Sequence, residues 1–356
     1  MRSEVLKSHK SQHKAIHALS ATDTRLAELH AWLKGNFFKA NAFSLAPASA
    51  DASFRRYFRV ESDGKTWIAM DAPPPQEDCR PFVRVATLMR EAGVNVPQVA
   101  AQDIERGFLL LSDLGTTTYL AAFDVNNPDV LFSDAIDALI AWQRSSRAGV
   151  LPPYDAPLLQ REMDLFPEWY VGKHLQTTFT NAQRELFAGV AKLLADAALA
   201  QPTVYVHRDY MPRNLMLSKR FASNPGVLDF QDAVYGPITY DVASLFRDAF
   251  VSWPEERELD WVIRYWERAK AAGLPVSADF ALFWRDFEWM GLQRHIKVLG
   301  IFARINYRDG KPHYLVDTPR FIGYARKVSA RYRELGPLAK LLDELEGRAR
   351  SIGYTF

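Results

Sequence analysis

Asp209, Asn214 and Asp229 are the residues of this chain whose types and spacing suit chemistry. The first two lie within His207-Arg208-Asp209-Tyr210-Met211-Pro212-Arg213-Asn214, and the third opens Asp229-Phe230-Gln231-Asp232. Moving a phosphoryl group onto an alcohol calls for such a set. One carboxylate accepts the proton of the attacking hydroxyl, while an amide oxygen and a second carboxylate hold the Mg²⁺ ions that bridge the nucleotide phosphates. One short loop can carry the first two groups, and the end of the next strand can present the third. On this reading Asp209 is the base, and Asn214 and Asp229 are the metal ligands. Asp232 is a further candidate, for the metal shell or for substrate.

The flanking residues supply the elements that such a loop needs. Val204-Tyr205-Val206 is a β-branched and aromatic run that predicts a short buried strand leading in, and Leu215-Met216-Leu217 predicts the strand leaving. Gly226-Val227-Leu228 predicts a third strand ending at Asp229.

The octet is similar to the H-R-D-x-x-x-x-N catalytic loop of protein kinases, and Asp229-Phe230 to the start of their D-F-G segment. Two departures are informative. Gln231 replaces the D-F-G glycine, and no A-P-E segment or activation loop follows, which points to a small-molecule acceptor rather than a protein. Asp229 to Ala243, with Gly236-Pro237 read as a turn and Asp241 opening a helix, resembles the aminoglycoside-phosphotransferase and choline-kinase branch of the kinase-like superfamily. That resemblance implies an α+β, bilobal protein-kinase-like fold with a small, mainly β N-lobe and a larger, mainly α C-lobe. It also implies ATP and Mg²⁺ as cofactors. Asp241 is expected to be structural, tying down the catalytic loop from a helix N-terminus.

The N-terminal third fits such a lobe. A helix is expected from Thr22, with Leu26, Leu29, Trp32 and Leu33 on one face, then strands over Phe43 to Ala46, Phe54 to Val60 and Lys65 to Met70. A helix over Pro81 to Met89 and strands over Gln98 to Ala101 and Phe108 to Leu111 follow. The expected organisation is a polar tail (1–20), an N-lobe (21–115) and a C-lobe (116–356). Ser112 to Gly115 is then the hinge, and the resemblance implies that backbone groups of Leu111, Ser112 and Asp113 bind adenine. Met70 stands where kinases place a lysine on the α- and β-phosphates, so another cation is needed. Ser53, in the loop Ser49 to Ser53, is a candidate for covering the phosphates. Arg55 and Arg56 are candidates for binding them, with an ion pair and a solvated arginine as the alternative.

Several segments together narrow the acceptor: Asp51 to Val60, Met70 to Pro74, Gly107 to Gly115, the catalytic run, and Gln293 to Phe302. They resemble the N-acetylmuramate/N-acetylglucosamine anomeric kinases of cell-wall recycling. The resemblance implies phosphorylation of a sugar C1 hydroxyl. Aromatic residues beside polar ones suit sugars, as at Trp169 and Trp289, although core packing is the preferred reading of each tryptophan taken alone. Arg294 or Arg213 would suit a lactyl carboxylate; Arg213 could also brace the catalytic loop. Gln231 could hold an acetamido group or a hydroxyl. Aminoglycosides, choline and homoserine are the alternative acceptors, and a non-catalytic nucleotide-binding scaffold and nucleotidyl transfer onto protein are the alternative functions.

Composition narrows the rest. Lys and Arg number 44 against 42 Asp and Glu among 356 residues, with no long basic block, so nucleic acid is not an expected partner. No apolar stretch reaches the length of a membrane helix, and the basic start Met1 to Lys10 lacks the apolar region of a secretory signal. His9, His13 and His17 fit a polar tail better than a metal site. Cys79 is the one cysteine, which suits a reducing compartment. The expectation is a cytoplasmic enzyme binding an amino sugar and ATP, with no membrane or obligate protein partner.

Overall fold

The computed structural model describes residues 23–39, 41–49, 54–123, 125–218 and 224–347, which form two compact units: 23–79 with 100–113, and 80–99 with 114–347. The polar tail, with its histidines, and Ser53 lie outside the described residues.

In the smaller unit, helix α1 (Thr24–Asn36) starts at Asp23, whose carboxylate accepts the Leu26 amide at 3.0 Å. That satisfies one of the donors a helix start leaves without a partner. Strands β1 (Ser44–Ser49), β2 (Arg56–Ser62), β3 (Lys65–Asp71), β4 (Val99–Asp103) and β5 (Phe108–Ser112) form one sheet of order β1-β2-β3-β5-β4. Asp63 and Gly64 turn β2 into β3 with φ of 50° and 70°, a left-handed pair that matches the twist of a tight hairpin. Alternate residues then share one face, so Phe58, Val60, Phe108 and Leu110 close a core over Leu29, Trp32 and Leu33 of α1.

Asp71, at the end of β3, is fully buried and ionically matched. Arg56 donates to it from Nε at 3.0 Å and Nη2 at 2.6 Å, Arg25 of α1 also bonds it, and Arg56 reaches on to Asp23. Removing one partner of such a group strands a buried charge. Arg56 thus makes the structural ion pair that stood as the alternative to a phosphate role. Arg55 Nε faces Glu77 at 3.8 Å, and Met70 is fully buried. Leu111 and Ser112 pair with Ile68 and Trp67 of β3, while Asp113 is held by Arg59 through bonds of 2.8 and 3.1 Å.

The larger unit begins with α2 (Arg80–Glu91) and continues as α3 (Tyr119–Ala122), α4 (Pro128–Arg144) and α5 (Ala156–Leu165). Pro167 does not end the helical run, although a proline inside a helix removes a backbone donor. The chain goes on as a π-helical stretch over Phe166–His174, in which the wider turn accommodates the missing proline donor. Then come α6 (Asn181–Leu199), β6 (Thr203–Val206), β7 (Leu215–Met216), β8 (Gly226–Val227) and β9 (Val234–Pro237). Helices α7 (Tyr240–Phe246), α8 (Glu255–Ala271), α9 (Phe280–Asp309), α10 (Thr318–Arg331) and α11 (Gly336–Leu345) complete it. Gly236-Pro237, read from sequence as a turn, instead ends β9, which pairs antiparallel with β6; proline is tolerated at that strand end. Helix α9 crosses close to α5, because a Cβ on Gly300 would lie 2.4 Å from the Leu165 carbonyl carbon. No described helix is long and apolar enough to cross a membrane.

Gly107, just before β5, has φ of 73°, and a Cβ there would sit 1.9 Å from the Ala72 carbonyl oxygen, whose own amide bonds the Gly107 carbonyl at 2.8 Å. Gly107→Ala therefore meets both strain and a backbone clash. We expect a loss of stability of at least about 2 kcal/mol, read as a lowered unfolding midpoint.

Candidate active site

β6 delivers the chain to Asp209, and a 3₁₀ turn over Pro212–Asn214 returns it into β7. The loop is closed by its own backbone, with the Met211 amide on the Asp209 carbonyl at 3.0 Å and the Asn214 amide on the Met211 carbonyl at 2.8 Å. Tyr210, fully buried, pins it to α4 by donating to the Ala135 carbonyl at 2.8 Å. β7 pairs with β8, which places Asp229 beside the loop, and the Leu228 amide donates to the Asn214 carbonyl at 2.9 Å. Phe230 packs its ring 4.7 Å from that of Phe82 on α2.

The three residues predicted to do chemistry meet here. The Asn214 side-chain amide donates to the Asp209 carbonyl at 2.9 Å and to Asp229 Oδ2 at 3.3 Å. Gln231 Nε2 donates to Asp229 Oδ1 at 2.9 Å and to Asp232 Oδ2 at 3.4 Å. Asp232 is exposed. The Asp209 carboxylate, half-buried, makes no hydrogen bond or ion pair among the described residues. An acceptor so placed, on a loop whose backbone is hydrogen-bonded, suits a base that awaits a substrate hydroxyl.

Two buried groups hold the loop in this shape. Asp241, at the start of α7 and fully buried, accepts the His207 amide at 2.7 Å and the Arg208 amide at 3.0 Å, the structural role expected of it. Arg208 thereby sits at φ of 78°, and Asp229 at 64°, both in the left-handed region that non-glycine residues seldom occupy. His207 takes the Asp209 amide on Nδ1 at 3.2 Å, so Nε2 carries the proton it gives to the Leu228 carbonyl at 3.0 Å. Burial lowers the His207 pKa to about 4, which keeps that tautomer neutral. Burial raises the Asp241 carboxyl to about 7, outweighing the two amides that favour its charge.

The donor set fits Mg²⁺. Gln231 Oε1 is buried with no hydrogen-bond partner, beside the Asp229 carboxylate, and Asn214 Oδ1 accepts no hydrogen bond among the described residues. Amide and carboxylate oxygens are the hard donors this ion takes. Among the described residues no group of three or more His, Cys, Asp or Glu is arranged to hold a metal, so a zinc-type site is not formed.

Two guanidinium groups, one on the loop and one on α9, make no hydrogen bond among the described residues. Arg294 of α9, 6% exposed, stacks its Cζ 5.1 Å from the Tyr240 ring centroid, and its Nε is buried without a partner. Arg213 stacks 5.1 Å from the Phe250 ring centroid. Both act on Asp248, a buried acid that sequence reasoning missed. Asp248 accepts the Phe250 amide at 3.1 Å on Oδ2 and leaves Oδ1 without a partner; burial raises its pKa to about 6, against the pull of Arg294 and Arg213. Only its position just after α7 marks it in the sequence. Trp169 is half-buried against the helical core and Trp289 is buried within it, the packing alternative for both. Also missed were Glu162 of α5 and Lys297 of α9. Lys297 lies four residues beyond Gln293, a spacing that puts both on one helix face.

A mainly β unit, a mainly helical unit and this loop define a kinase-like phosphotransferase fold. Residues 44–280 match the model of the phosphotransferase enzyme family, and the chain belongs to that family. It is 56% identical to an N-acetylmuramate/N-acetylglucosamine kinase of Pseudomonas putida, over 92% of this chain and 99% of that one. A kinase of the same name from Pseudomonas aeruginosa is 53% identical, over 91% and 97%. In structure the chain resembles the choline kinase LicA of Streptococcus pneumoniae, with a TM-score of 0.58 at 13% identity over 87% of this chain and 100% of that one.

Asp241 supplies a pH test. Its folded pKa of about 7 lies above the ordinary 3.8, so the native state binds the extra proton between those values and wild-type stability falls as pH rises through that window. Asp241→Asn lacks this dependence. The deficit in unfolding midpoint of the variant relative to wild type should therefore be largest near pH 4 and shrink toward pH 7.

Proposed function

We propose that this chain is an ATP-dependent kinase that phosphorylates the anomeric hydroxyl of N-acetylmuramate and N-acetylglucosamine, yielding the sugar 1-phosphate in the cytoplasm during cell-wall recycling. The observation that carries the catalytic half is the Asp209 carboxylate, half-buried and without a hydrogen bond or ion pair among the described residues, on a hydrogen-bonded loop. Identity above 50% along nearly whole chains of two kinases so named supports the acceptor.

In this reading the sugar C1 hydroxyl donates its hydrogen bond to Asp209. Its oxygen bonds to the γ-phosphorus, the bond to the β-γ bridging oxygen breaks, and ADP leaves as the hydroxyl proton passes to Asp209. Proton transfer is late because the transition state is loose, so positioning of the two reactants supplies most of the acceleration. Asn214 and Asp229 would hold Mg²⁺, which when bound neutralises charge on the phosphates; Gln231 Oε1 and Asp232 stand beside them. Leu111, Ser112, Asp113, Ser53 and Arg55 are assigned to the nucleotide. Arg294 and Arg213 are assigned to the lactyl carboxylate of the muramic sugar, where unbonded guanidinium groups provide charge-assisted bonds.

Asp209→Asn should lose turnover on the order of 10²–10⁴-fold while ATP·Mg²⁺ affinity holds within about threefold, measured by steady-state kinetics and nucleotide titration. Near-wild-type turnover would remove Asp209 from the role of base. Arg294→Ala should raise KM for N-acetylmuramate by about tenfold or more with little change for N-acetylglucosamine, and equal effects on the two sugars would sink the carboxylate assignment.

A further inference from the structure

Arg208, the residue before the base, is held at both ends. Its amide is on Asp241, and its side chain runs to α5, where Nη2 donates to Glu162 Oε1 at 2.6 Å. Glu162 is 5% exposed and fully engaged. Lys297 Nζ donates to the same Oε1 at 2.7 Å, while Tyr154 and, at 3.3 Å, Gln293 donate to Oε2. Lys297 continues to the Tyr240 hydroxyl at 3.0 Å, next to Asp241 in sequence. Burial alone would raise the Glu162 pKa, but Lys297 and Arg208 hold it at about 2, so the carboxylate stays charged at any physiological pH. The charge of Asp209 in turn favours the charged forms of both Arg208 and Lys297.

In regulated kinases, a phosphate on the activation loop supplies an arginine-paired charge that orders the catalytic segments. Among the described residues, Asp229 is followed directly by β9 and α7 with no such loop between them, yet Arg208 is not left without an anion. We propose that Glu162 is a positioning residue for the phosphoryl transfer: a permanent internal carboxylate that, through Arg208, fixes the left-handed turn preceding Asp209 and so makes the site independent of phosphorylation. Its second cation, Lys297, ties the same carboxylate to α9, so α5, α9 and the catalytic loop are set by one anion. The inference rests on Asp209 as base, and the two fail differently. Retained turnover in Asp209→Asn overturns the base, whereas retained turnover in Glu162→Gln beside an inactive Asp209→Asn overturns only the clamp.

The test is a double-mutant cycle with ATP·Mg²⁺ and N-acetylglucosamine, joined to amide hydrogen exchange. Glu162→Gln and Arg208→Gln should each lower kcat by about 10²-fold, with KM for both substrates within about threefold. The combined variant should lose no more than either single one, because both act through one contact. Exchange of the His207, Arg208 and Asp209 amides should rise in Glu162→Gln without a matching rise across α5 and α9. Additive losses in kcat, or acceleration spread evenly over the helices, would reduce Glu162 to a packing role and overturn the proposal. Should Glu162→Gln not fold, Glu162→Gln/Lys297→Met, which leaves no orphaned ammonium, carries the same expectations. Wild-type kcat and exchange in that pair would overturn them equally.

Discussion

The Asp241 carboxylate, buried where α7 begins, accepts the amides of His207 and Arg208, and the catalytic loop depends on that pair of bonds. Without them two backbone donors would be stranded in the interior, and a left-handed arginine would have nothing to hold it. The arrangement is costly by itself, since burial opposes the charge that accepts so well. It persists because α7 is buried along its whole length and cannot turn the carboxylate toward water.

Charge is handled the same way elsewhere. In the smaller unit Asp71 is matched by Arg25 and Arg56. In the larger one Arg247, 1% exposed, is matched by Glu258 at 3.3 Å and Glu288 at 3.0 Å, with its Cζ 4.7 Å from the Phe287 ring centroid. Removing one partner from such a set is worse than never having had it. Asp209, Arg213 and Arg294 differ from these matched groups: they lack hydrogen bonds among the described residues and gather around one loop. Contrast with the matched groups makes them stand out.

Much of this was legible in the sequence, for identifiable reasons. The strands flanking Asp209 and Asp229 were visible because short β-branched runs abut fixed polar residues, and α1 because Leu29, Trp32 and Leu33 recur at helical spacing. The structural role of Asp241 followed from its place at a helix start. Local pattern misled where tertiary pairing decides: Gly236-Pro237 looks like a turn until β6 lies beside it, and Pro167 looks like a helix break until a π turn absorbs it. Arg56 could not be assigned because its partner Asp71 is 15 residues away, across a hairpin. Glu162 has no local signature and Asp248 and Lys297 only a positional one, since their meaning lies in contacts between residues distant in sequence.

The His207 imidazole has a consequence of a different kind. One ring joins the amide of Asp209 to the carbonyl of Leu228, the residue before Asp229. The separation of the two backbone segments that carry Asp209 and Asp229 is thus gauged by a rigid planar spacer rather than by flexible chain. No rotamer change can lengthen it, because the two ring nitrogens keep a fixed separation in one plane. The ring that protein-kinase nomenclature treats as the first letter of a motif works here as a ruler.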